Sequence, residues 1–81
     1  MGRGSAGGLG AGFSRGKNVG IINRWASAFN VGLRAYPAVD KRTGKRYYSI
    51  RDMRGREINA SRTVDQAIQT IRRQAIALGR I

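Results

Sequence analysis

Hydrophobic and polar residues alternate along this chain with periods that change twice. Over residues 18–30, NVGIINRWASAFN, the residues Val19, Ile22, Trp25, Ala26 and Phe29 share about a third of the helical circumference. That spacing predicts an amphipathic helix capped by Asn18, packed on the core or docked on a partner or second subunit. Gly20 weakens its propensity.

From Asn30 the period becomes two. GLRAYPAV, KRYYSIRD and REINA read as three strands. Gly44 stands where a four-residue hairpin loop needs a left-handed residue, and Gly55 where a three-residue loop with a bulge needs one. An antiparallel meander follows. Closing the first loop around residues 41–44 places Ala35 opposite Ile50 and Pro37 opposite Tyr48. Closing the second around Met53, Arg54 and Gly55 places Asp52 opposite Arg56, Arg51 opposite Glu57, Ile50 opposite Ile58 and Tyr48 opposite Ala60. One face then collects Leu33, Ala35, Pro37, Tyr48, Ile50, Ile58 and Ala60. The other collects Arg34, Tyr36, Ala38, Tyr47, Ser49, Arg51, Glu57 and Asn59.

The period returns to 3.6 after Thr63. TVDQ at 63–66 is a capping box, with Thr63 accepting from the Gln66 amide and Gln66 reaching back. Val64, Ala67, Ile68, Ile71, Ala75 and Leu78 form one stripe, Gly79 ends the helix, and Ile76 lies off the stripe, where the first helix would cover it. The fold class is α+β: a three-stranded antiparallel meander packed on a C-terminal helix, with an extra N-terminal helix. A sheet-plus-helix unit of this size has a small core, so the first helix, a dimer partner or bound nucleic acid is expected to add stability.

Composition adds a leader and a partner class. Residues 1–17 hold seven of the 12 glycines and no acid, which predicts a flexible basic leader ahead of the helix at 18–30 and the module at 31–81. Gly2, Gly4 and Gly7 match G-x-G-x-x-G by composition alone, since no strand precedes them. Sixteen Lys+Arg against four Asp+Glu give a net charge of +12, a self-repulsion that calls for a polyanionic partner. The charge is spread along the chain rather than gathered on one helix, which favours nucleic acid over a membrane surface. There is no cysteine or histidine, no signal-peptide core and no bilayer-length apolar run, so a cytoplasmic protein is expected, or a nuclear one in a eukaryote.

Catalysis lacks its residues. Asp40 and Asp52 sit at turns, Glu57 faces an arginine and Asp65 opens a helix, with no acid–base pair or metal cage among them. The reading is non-enzymatic, with no cofactor and no metal. Binding has candidates on the outer face, Arg34, Tyr36, Tyr47, Ser49 and Arg51, and in the loops, Lys41, Arg42, Lys45, Arg46, Arg54 and Arg56. Strand arginines suit guanine edges in a major groove, loop cations suit phosphates, and tyrosines stack on unpaired bases. Arg3, Arg15 and Lys17 of the leader would add phosphate or minor-groove contacts. A mixed-sign outer face would be merely solubilising, whereas this one is nearly all basic.

Gly44-Lys45, Ile50-Arg51-Asp52, Gly55-Arg56 and Thr63 with Ala67 occur in the order of a known pattern. Residues 31–78 resemble the DNA-binding domain of plant ethylene-response factors and its relatives in phage integrases and homing endonucleases. The resemblance implies a three-stranded sheet on one helix, with the outer face in the DNA major groove and base reading by Arg34, Tyr36, Tyr47, Ser49 and Arg51. Ala60-Ser61-Arg62 replaces the family's Gly and aromatic before the helix, and Tyr47 or Tyr48 stands for its strand-two tryptophan. The glycine-rich leader more loosely resembles those of small basic phage accessory proteins, some of which inhibit host nucleoprotein machines such as CRISPR effectors. DNA is therefore favoured over RNA as partner. The alternatives are a phage-type inhibitor of an RNA or nucleoprotein complex, and a virion or nucleoid component that neutralises DNA.

Overall fold

The computed structural model describes residues 6–81, with side chains from residue 16 onward. The elements are α1 (Ala6–Phe29), β1 (Leu33–Val39), β2 (Arg46–Asp52), β3 (Glu57–Ser61) and α2 (Val64–Ala77). The three strands form one antiparallel sheet in the order β1-β2-β3, completing the α+β arrangement.

The turns form as their glycines require. Lys41–Gly44 closes the first hairpin, with Asp40 N donating to Lys45 O at 2.8 Å and Gly44 at φ 74°. Met53–Gly55 closes the second, with Asp52 N donating to Arg56 O at 2.9 Å and Gly55 at φ 86°. Asp52 Oδ1 accepts from the amides of Arg54 and Arg56, and its Oδ2 pairs with Arg56 Nε at 3.1 Å. These bonds favour the ionised carboxylate and hold Asp52 below its ordinary pKa, the amide of Arg56 contributing most.

The β1–β2 register is the one the first loop predicts, with Ala35 opposite Ile50 and Pro37 opposite Tyr48. The β2–β3 register departs after its first rung. Arg51 pairs with Glu57 as expected, but a bulge between Ile50 and Arg51 then places Asn59 opposite Ile50 and Ser61 opposite Tyr48. One inserted residue reverses the facing of everything beyond it. Ile58 and Ala60, expected beneath the helix, are exposed, and Ser61 takes the buried position.

Both helices cover the sheet's apolar face, α1 lying on β1 and α2, and α2 on β3 and β2. Ile22 of α1, Ile50 of β2 and Ile71 of α2 are fully buried, one from each helix and one from the sheet. Ala26, Ala35, Ala67 and Ala75 surround them, small enough to let the helices approach closely. α2 is capped at Thr63, whose Oγ1 accepts from Gln66 N at 3.1 Å; Gln66 Oε1 reaches back to Arg62 N, one residue before the expected partner. Leu78 and Ile76 are exposed, so α1 does not cover Ile76.

The N-terminal helix is longer than the period predicts. It begins at Ala6 rather than residue 18 and takes in most of the stretch expected to be a flexible leader. Helix propagation adds one bond per residue once a nucleus exists, and the packed half around Ile22 and Ala26 supplies that nucleus. Asn18 is therefore an interior residue, not a cap, and its Nδ2 donates to the Tyr48 hydroxyl at 3.0 Å. Trp25 sits at the margin, 42% exposed, with its ring 5.7 Å from that of Phe29.

Candidate nucleic-acid interface

The face turned away from the helices is set by alternation along β1 and β2. Arg34, Tyr36 and Ala38 stand directly opposite Arg51, Ser49 and Tyr47. Arg34 and Arg51 are thus like charges in a cross-strand pair, an arrangement that costs stability in a free sheet. Arg51 does not turn to Glu57, its partner on the other side. Its guanidinium lies 4.6 Å from the Tyr36 ring centroid, and its Nε donates to Ser49 Oγ at 3.0 Å. Ser49 Oγ donates in turn to Glu57 Oε1 at 2.6 Å. Ser49 is fully buried on a face that looks outward, because the side chains of this network close over it.

Ser49 is therefore a positioning residue rather than a contact surface: it orients Arg51 and occupies one oxygen of Glu57. Tyr36 remains 39% exposed and presents the stack it forms with Arg51. Arg34 is exposed beside them.

Cations flank this face at both ends. Lys41, Arg42, Lys45 and Arg46 gather at the first hairpin, and Arg54 and Arg56 at the second, all exposed. β2 separates the two sets by roughly 20 Å, from its rise per residue. Among the described residues, the one ion pair is Arg56–Asp52. Arg56 thus belongs partly to its own turn, while Asp40 Oδ1 accepts from the Arg42 amide. Asp65 lies in the first turn of α2, where it complements the helix dipole.

Arg62 is not among the binding residues that the sequence pattern singles out. An open hollow of about 530 Å³ at the first-hairpin end is lined by Lys41, Lys45, Arg46 and Tyr47, and Arg62 joins them from the β3–α2 junction. The bulge brings it there: Ser61 pairs with Tyr48, so continuing the ladder by one rung carries Arg62 toward Tyr47. An unbulged register would place Ser61 at that rung, so only the bulge itself carries the signal.

The expected leader contacts fare differently. Arg3 lies outside the described residues, as does the side chain of Arg15. Lys17 is exposed on α1, in the helical layer behind the sheet rather than on its outer face. Among the described residues no helix is long and apolar enough to cross a membrane, and no three Asp, Glu, His or Cys side chains cluster as a metal site. No family model, curated protein or solved structure matches this chain.

Proposed function

We propose that this is a non-enzymatic nucleic-acid-binding protein that lays the outer face of its sheet against DNA. One observation carries the reading: Arg34 and Arg51 stand directly opposite each other on an exposed face, and no carboxylate among the described residues forms an ion pair with either. A free sheet gains nothing from that pair, whereas a polyanion converts its repulsion into attraction. Arg51 is pre-oriented by Tyr36 and Ser49, which lowers the ordering cost of a contact with a base edge. The loop cations at the two ends of β2 suit the phosphate strands on either side of a groove. This use of the sheet accords with the resemblance to groove-reading sheet domains.

The test is binding of the full chain to labelled duplex DNA, single strands and folded RNA over about 50–300 mM salt. Tight duplex binding with a steep salt slope and a selectable consensus sequence supports groove reading. Weak binding to all of them, lost by physiological salt, overturns it and points to an RNA–protein complex or an acidic protein as partner.

A further inference from the structure

The hollow beside the first hairpin has a lining that phosphate binding alone does not explain. Lys41, Lys45, Arg46 and Arg62 suit an anion. Val39, Ala60 and the ring of Tyr47 add an apolar and aromatic portion, which a phosphate does not use. Two carboxylates, Asp40 and Glu57, also enter. A carboxylate repels phosphate but accepts from the exocyclic amino groups of bases. Each already spends one oxygen internally, Asp40 on the Arg42 amide and Glu57 on Ser49 Oγ.

We propose that this hollow holds one unpaired nucleotide at the single-stranded end of a duplex lying on the outer face. The inference rests on the nucleic-acid reading above. The volume, about 530 Å³, lies within the range of small-molecule sites. The base stacks on Tyr47 against Val39 and Ala60, its amino group faces the second oxygen of Glu57 or Asp40, and its phosphate meets the surrounding cations. Every class of residue in the hollow then has a complementary part of the ligand. Arg62 is the residue specific to this site, because it comes from the β3–α2 junction and not from the two hairpin loops.

The experiment measures fluorescence anisotropy of the full chain with duplexes of one paired sequence. One is blunt, one has a short single-stranded overhang, and one has an abasic overhang of the same length. The overhang is expected to bind roughly tenfold tighter than the blunt duplex, and the abasic form, which keeps the phosphate but has no base to stack, to fall between the two. Arg62→Gln and Tyr47→Leu are expected to reduce that preference. The readout is the ratio of affinities, so a general loss of charge does not imitate it. Arg62 is exposed, so Arg62→Gln keeps the test decisive even if Tyr47→Leu fails to fold. Equal binding of blunt and overhanging duplexes overturns the proposal while leaving the groove reading intact. So does full retention by the abasic overhang, or an unchanged ratio in Arg62→Gln. Absence of binding to any duplex at low salt overturns both readings together.

Discussion

The side-chain amide of Asn23 takes the place of a neighbouring strand along the edge of β1. Its Oδ1 accepts from Ala35 N at 2.7 Å, and its Nδ2 donates to Ala35 O at 3.2 Å. Ala35 turns both backbone groups away from β2, and Pro37, two residues on, has no N–H to present on that side. An edge strand otherwise offers a template for pairing with another chain. The helix that covers the sheet thus also closes one of its edges.

Asn23→Ala is expected to cost about 1–3 kcal/mol in urea unfolding, since it strands a donor and an acceptor that are partly shielded from water. Asn23→Asp is expected to cost more at neutral pH, because its carboxylate faces the Ala35 carbonyl. A change under about 0.5 kcal/mol for the alanine variant would show that solvent satisfies Ala35 equally well.

The bulge in β3 makes opposite demands on two neighbouring residues. Ile58 is 51% exposed and Ser61 is buried. Ile58→Thr is expected to change stability by no more than about 0.5 kcal/mol. Ser61→Leu should destabilise by about 1–3 kcal/mol through overpacking. The reverse order in thermal or urea melts would favour the unbulged register.

Asp52 makes stability depend on acid. Its pKa is lowered by the amides of Arg56 and Arg54 and by the Arg56 guanidinium, so its contribution is fully present above the ordinary carboxylate value of 3.8. It is lost as pH falls through the lower, folded-state pKa. Melting temperatures from pH 7 to pH 2 should show wild type above Asp52→Asn at neutral pH, with the gap closing below about pH 4. A gap constant across that range would mean the charge of Asp52 contributes nothing.

Loop and strand cations should separate in their effects on DNA binding. Lys45→Gln is expected to lower affinity alike for matched and random duplexes, and to reduce the salt slope by about 0.9. Arg51→Ala should weaken a matched duplex more than a random one, by about 1–3 kcal/mol of discrimination. Equal losses for both duplexes in the Arg51 variant would remove it from base reading.

The features legible in the sequence are local ones. Gly44 and Gly55 are set by left-handed backbone within single turns, and each turn fixes the rungs that follow from it until a bulge intervenes, Ala35 with Ile50 and Arg51 with Glu57. Thr63 and Gln66 form a cap within four residues, and α2 follows from its stripe. The basic outer face on β1 and β2 is likewise a consequence of period-two alternation from those turns.

What only the tertiary structure decided depends on residues distant in sequence or on one inserted residue. The bulge moves Ile58 out, Ser61 in and Arg62 to the hollow, a parity change that composition does not encode. Packing against the sheet and α2 sustains a helix that starts at Ala6 despite its glycines, and brings Asn23 to Ala35 and Asn18 to Tyr48. The burial of Ser49 beneath Arg51, Tyr36 and Glu57 likewise needs three strands side by side. Local backbone chemistry chose the elements, and long-range burial and hydrogen-bond satisfaction chose how their side chains meet.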